Sequence, residues 1–168
     1  MQSNQLIFVS ILQACASLET LGYGKEIHTH IIKTGYGLDV SMGNCLLNMY
    51  RKCSSTDDVS KLFCLMTKRD MGSWSAVISG YAHNNCGEKA LSHFCEMQRA
   101  GITANQSIIV TVLKACCDLV DVKLGMQLHT HIIKVIIELD IYLASSLVTM
   151  YAQCGMIEDL FQVFHNML

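Results

Sequence analysis

The sequence predicts an all-α protein, a solenoid of stacked helical hairpins, and three observations carry that expectation. The phrase HTHIIK stands at residues 28–33 and again at 129–134, an offset of 101 residues. Sliding the chain by that offset matches about two dozen of some sixty positions without a gap, among them Leu12, Ala14, Cys15, Gly24, Met49, Tyr50, Cys53 and Phe63 with Leu113, Ala115, Cys116, Gly125, Met150, Tyr151, Cys154 and Phe164. Within one period, apolar residues recur at helical spacing in pairs of segments parted by short polar breaks. The composition is 51% hydrophobic and 15% charged, with no proline, which favours a folded, helix-rich chain.

Each hairpin can be justified in order. Segments 6–17 and 23–34 form the first, and 41–53 with 57–66 the second, where Ser55, Thr56, Asp57 and Asp58 suit an N-cap and first turn. In the third, Trp74, Val77, Ile78, Tyr81 and Ala82 share one helical face, and Ala90, Leu91, Phe94 and Met97 share another. Asn84-Asn85-Cys86-Gly87 separates them, and Gly101 after Arg99-Ala100 reads as a helix stop. Segments 108–118 with 122–135, and 142–154 with 157–167, complete the series. The period divides into 5–39, 40–70 and 71–105, which are 35, 31 and 35 residues long. A hairpin of that size cannot bury its apolar stripe alone, so neighbours must stack into a continuous core.

The totals exclude several classes of function. A net charge of −2 announces no nucleic-acid partner by charge alone, while leaving room for a local basic stripe. The nine cysteines sit in apolar helical patterns and form no CxxC pair, so they read as small buried hydrophobes rather than disulfides or a zinc site. No apolar run is long enough for a membrane span, and Met1-Gln2-Ser3-Asn4 leads directly into a periodic segment, so no transit peptide is expected in this chain. His28/His30 and His129/His131 invite a metal reading, but helical residues two apart point about 200° apart and cannot share one ion. His83, His93 and His165 stand singly. Neither a phosphate loop nor a nucleophile elbow occurs. No catalytic residue, cofactor or metal site is expected.

Leu12-Gln13-Ala14-Cys15, Leu113-Lys114-Ala115-Cys116, Gly24-Lys25-Glu26-Ile27-His28, Leu47-Asn48-Met49-Tyr50 and Trp74-Ser75-Ala76-Val77-Ile78-Ser79-Gly80-Tyr81-Ala82 resemble pentatricopeptide repeats. Their order of long, short and standard lengths resembles the plant PLS subclass. On that resemblance, residues 1–4 are the tail of a preceding repeat, 5–39 an L-type, 40–70 an S-type, 71–105 a P-type, 106–140 a second L-type and 141–168 an incomplete S-type repeat. The resemblance implies a right-handed α-solenoid and a fragment without the E or DYW domain found in many such proteins. A cytidine-deaminase-like zinc site needs HxE and PCxxC, and a chain without proline cannot supply it. Tetratricopeptide repeats are the rival, since Trp74, Tyr81, Ala90 and Phe94 fit their offsets too. Ile78 and Met97 occupy that family's small positions, however, and its constant 34-residue period is missing.

The resemblance further implies single-stranded RNA as partner, read one base per repeat by a side chain early in the first helix together with the last residue of the repeat. For 40–70 these are Asn44 and Asp70, a pair that implies uracil with cytosine second. For 71–105 they are Ser75 and Asn105, which imply adenine. Ser145 is the next reader. Val9 with Asp39 and Val110 with Asp140 cannot hydrogen-bond a base edge and space the readers instead. The base-clamping positions are Ser41, Gly72 and Tyr142, of which Tyr142 is the best suited. Without the resemblance, Asn44 and Ser75 would pass for ordinary first-turn polar residues, and Asp70 and Asn105 for helix caps. The resemblance also implies RNA editing or processing in a mitochondrion or chloroplast, with other editing factors or a deaminase-bearing protein supplying the reaction. Three hydrogen-bonding readers give weak binding. A protein-interaction scaffold, or a degenerate fragment without RNA affinity, is the competing expectation. Ala104 in place of the usual proline, Ser54 in place of glycine, and Val135-Ile136 in place of Thr-Gly are departures from the pattern, and they lead one to expect less sharply defined helix ends.

Overall fold

The computed structural model describes residues 2–35, 39–134 and 141–165. Among them the element order is α1 (Gln2–Ser17), α2 (Leu21–Lys33), α3 (Val40–Lys52), α4 (Thr56–Leu65), α5 (Met71–His83), α6 (Gly87–Arg99), α7 (Gln106–Leu119), α8 (Val122–Lys134), α9 (Ile141–Gln153) and α10 (Ile157–His165). The fold is all-α, a stack of helix-turn-helix repeats. The chain forms two compact units, 1–84 and 85–168. No helix among the described residues is long and apolar enough to cross a membrane.

In the first unit, α1, α3 and α5 lie side by side, α2 packs on α1 and α3, and α4 on α3 and α5. Leu12, Ile31, Met42, Leu46, Leu47, Val59, Leu62, Val77 and Ile78 are withdrawn from water between these helices. Burial of a side chain of this size stabilises by about 1.5–3 kcal/mol, and it is the stacking that makes it possible. Phe63 meets Trp74 edge-on at 4.8 Å between centroids, and the Arg69 guanidinium covers the same Phe63 ring at 4.4 Å. The second unit repeats the plan. Its α7 packs on α6, α8 and α9, α9 packs also on α8 and α10, and Leu113, Cys116, Ile132, Leu143, Leu147 and Met150 fill the core.

The sequence repeat is also a repeat of contacts. Met49 lies against Gly24, where a Cβ would fall 2.3 Å from its sulfur, and Met150 lies against Gly125, where the distance would be 2.5 Å. The His28 Nδ1 pairs with the Tyr50 hydroxyl at 2.8 Å, and His129 pairs with Tyr151 at the same distance. The first histidine of each HTHIIK thus makes the same contact. It ties the trailing helix of one hairpin to the leading helix of the next.

Helix ends are sharper than the departures from the repeat pattern lead one to expect. Ser54 takes the left-handed conformation at φ 55°, and the backbone closes around it as a Schellman turn, with Ser54 N–H donating to the Arg51 carbonyl and Ser55 N–H to that of Tyr50. The corresponding residue one period later is Gly155, at φ 72° with the same two bonds. The orphan carbonyls need that turn whichever residue occupies it, so Ser54 bears the strain that glycine avoids. Gly101 closes α6 in the same way at φ 74°, with Ala104 buried three residues on. Val135 and Ile136 lie outside the described residues. At the start of α4, Ser55 does not cap as expected. Its backbone is at ψ 74° and its Oγ donates to Asp58 Oδ2 at 2.6 Å, so the hydroxyl is committed away from the helix amides. Asp58 in turn takes Lys25 Nζ at 2.8 Å.

Candidate nucleic-acid interface

Leading helices open on a capped turn wherever the cap is described. Asp39 accepts from Met42 N–H at 2.7 Å, Asp70 from Ser73 N–H at 2.9 Å, and Asn105 from Ile108 N–H at 3.0 Å. Asp39, Asp70 and Asn105 are therefore the N-caps of the helices that follow, the role that short polar side chains take at that position. Asp140 lies outside the described residues.

At the boundary between α3 and α5, the cap and the expected reader meet. Asn44 Nδ2 donates to Asp70 Oδ1 at 3.0 Å, although the two residues are 26 apart in sequence. Asn44 Oδ1 accepts from the Ser73 hydroxyl at 2.7 Å, and Asp70 N–H donates back to Ser73 Oγ at 3.3 Å, completing a capping box. Ser73 is fully buried, whereas Asn44 keeps part of its surface. A carboxylate only accepts, so the NH₂ end of the Asn44 amide must face Asp70 and the oxygen must face the serine. One amide hydrogen and one lone pair are left over. Burial acts to raise the Asp70 carboxyl, but the bonds from Asn44, from the Ser73 backbone and side chain and from the Gly72 backbone outweigh it and hold the group below its ordinary range.

The other expected positions are placed as follows. Ser75 is half-buried on α5, and its carbonyl accepts from Ser79 Oγ at 2.6 Å. Asn105 is an exposed cap belonging to the second unit. Ser145 is exposed on α9 and shares a groove of about 310 Å³ with Val110 of α7. Ser41 is exposed, and Tyr142 is exposed by 75%. Gly72 is exposed and carries no side chain to clamp with, and a Cβ there would stand 2.8 Å from Asn44 Nδ2.

The groove holds further residues that the sequence reading passed over. Lys114 and Asp118 follow Val110 on α7, and Thr149 and Gln153 follow Ser145 on α9, each one or two helical turns on. Between α1 and α3 a groove of about 410 Å³ is lined by Gln13, Ser17, Asn48 and Lys52, the same positions one period earlier. Counting four and eight residues from Val9, Asn44, Val110 and Ser145 would have found them. Among the described residues no group of three His, Cys, Asp or Glu side chains could hold a metal ion. His83 and His93 each donate Nδ1–H to the carbonyl four residues back, at 2.6 and 2.9 Å. The Phe8 and His30 rings stand 5.8 Å apart.

Paired helices that repeat along the chain define a helical-repeat protein, and the particular repeat is identified by comparison. The family model described as the PPR repeat matches residues 44–71, 72–102 and 143–168, half of the chain, which belongs to the pentatricopeptide repeat family. A chloroplastic pentatricopeptide repeat-containing protein of Arabidopsis thaliana is 35% identical over 98% of this chain and 27% of its own length. A mitochondrial one from the same plant is 35% identical over 98% of this chain and 25% of its own. The chain thus spans about a quarter of these relatives. The crystal structure of the pentatricopeptide repeat protein PPR10 from maize matches with a TM-score of 0.78 at 19% identity, covering 96% of this chain and 24% of that one. PPR10 in complex with an 18-nt psaJ RNA element matches with a TM-score of 0.70 at 20% identity, covering 95% of this chain and 24% of that one.

Proposed function

We propose that this chain is a sequence-specific single-stranded RNA-binding module made of L-, S- and P-type repeats. It acts in organellar RNA editing or processing, and the reaction itself is supplied by another domain or protein. The observation that carries the reading is the Asn44–Asp70 hydrogen bond. It orients an amide at the start of a leading helix and leaves one donor and one acceptor, the complement of the uracil imide edge. Further support comes from the RNA bound by the structurally similar maize protein and from the chloroplastic and mitochondrial names of the relatives. Ser75 would read adenine, Ser145 a further base, and Tyr142 would clamp.

The test compares binding of two single-stranded oligonucleotides, one with adenine following uracil at the register of Asn44 and Ser75 and one with these bases swapped, at several salt concentrations. A preference for the first that Asn44→Ser alters at one base only supports the reading. Equal binding of both, or none, favours a protein-interaction scaffold. Phosphate contacts make the affinity fall with salt, whereas the ratio between the two oligonucleotides should persist.

A further inference from the structure

We infer that Ser73 and Gly72, the opening residues of the repeat after Asn44, determine how sharply Asn44 discriminates between bases; this rests on the reading of Asn44 proposed above. The reader's amide is held at both ends. Asp70 fixes its nitrogen at 3.0 Å, and the buried Ser73 hydroxyl fixes its oxygen at 2.7 Å. A hydroxyl has one proton. Ser73 Oγ also lies 3.0 Å from Asp70 Oδ1, but that oxygen already accepts Ser73 N–H and Asn44 Nδ2–H, so the shorter contact to Asn44 takes the proton. The serine therefore has two duties: it closes the capping box of α5 and it immobilises a side chain on α3.

Immobilisation matters because discrimination requires an amide that cannot rotate to suit another base edge. An Asn held only through its nitrogen can swing about that bond and offer its oxygen over a range of directions. Held at both ends, it presents one hydrogen and one lone pair in a fixed order. Gly72 secures the space for this arrangement. A Cβ there would come 2.8 Å from Asn44 Nδ2 and 3.2 Å from Asp70 Oδ1, so any larger residue pushes the amide off its carboxylate. The position therefore serves as clearance for the neighbouring reader, a role distinct from gripping a base.

Three substitutions separate this role from folding. Gly72→Ala replaces glycine by the best helix former inside α5, where no positive φ is involved, so the helix is not weakened. Ser73→Ala removes one hydroxyl, and Ser73→Thr keeps it. The probe is a pair of oligonucleotides that differ only by uracil or adenine opposite Asn44. Alongside it, the NMR signals of the Asn44 side-chain amide are recorded in the free protein. Ser73→Ala and Gly72→Ala should each reduce the uracil-over-adenine ratio by about fivefold, the factor an ordinary hydrogen bond is worth, and shift the Asn44 amide signals. Ser73→Thr should restore the ratio, and preference at the Ser75 register should not move. If the ratio changes with Asn44→Ser but not with Gly72→Ala or Ser73→Ala, the inference is overturned and the base-reading proposal stands. If the unsubstituted chain shows no ratio to change, both fall together.

Discussion

The Asn44 amide and the Asp70 carboxylate, 3.0 Å apart, join the N-terminal half of one leading helix to the cap of the next. The contact makes a repeat boundary out of two positions that are remote in sequence, and it gives Asp70 a double load. As N-cap it accepts Ser73 N–H, and as partner it holds Asn44. Asp70→Ala should cost about 1 kcal/mol of stability through the lost cap, measurable by urea denaturation, and should also loosen Asn44. Asp70→Asn retains a capping oxygen and should cost less.

The depressed Asp70 carboxyl sets a pH dependence as well. Its ordinary value is 3.8, and in the fold it is lower. The folded state thus binds this proton less readily than the unfolded chain, and the associated stability is complete above 3.8 and lost as pH falls from there through the lower folded value. Asp58, lowered by Lys25 and Ser55 against the opposing effect of burial, acts in the same window. Asp70 is exposed and Asp58 part-buried, and both meet solvent, so the effect should be small and diminish with salt. Denaturation midpoints from pH 5 down to about pH 2 test this, with Asp58→Asn flattening the curve.

His28 and His129 act higher on the pH scale. Burial lowers both below the ordinary 6.5, against the opposing charges of Asp58 and Asp159 respectively. The unfolded chain therefore takes up these protons first. Stability from this source is full above 6.5 and declines as pH drops through the depressed folded values. The double variant His28→Phe with His129→Phe should remove the slope between about pH 6.5 and 5. An unchanged slope would show that other groups are responsible.

Ser54 offers a gain. Its φ of 55° is left-handed, and its counterpart one period later is Gly155. The side chain is exposed, so nothing is lost from the core when it is removed. Ser54→Gly should stabilise by about 1 kcal/mol, seen as a higher denaturation midpoint at an unchanged m-value.

Val120 is the more strained case, since a β-branched residue at φ 54° closes α7. Val120→Gly should gain about 1–2 kcal/mol by calorimetry or denaturation. Val120→Thr, equally branched, should gain nothing. Glu19, its counterpart one period earlier at φ 53°, gives an independent check in Glu19→Gly.

The chain determined its own architecture through periodicity. Helical spacing and the 101-residue recurrence are properties of the letters, and two contacts of the first period, Gly24 on Met49 and His28 on Tyr50, have their twins in the second because the same letters return. Asn44 and Asp70 could be named as a pair from their places in the repeat. What only the tertiary structure decided is what surrounds that pair. Gly72 looked like a poor clamp and Ser73 carried no signal of its own, and their relation to Asn44 arises because α5 packs against α3, bringing residue 73 to residue 44 across 29 positions of chain. A left-handed turn at Ser54 or Val120 was hidden for a related reason. Propensity argues against such residues there, and only the demand of a closing helix for hydrogen-bond donors overrules it.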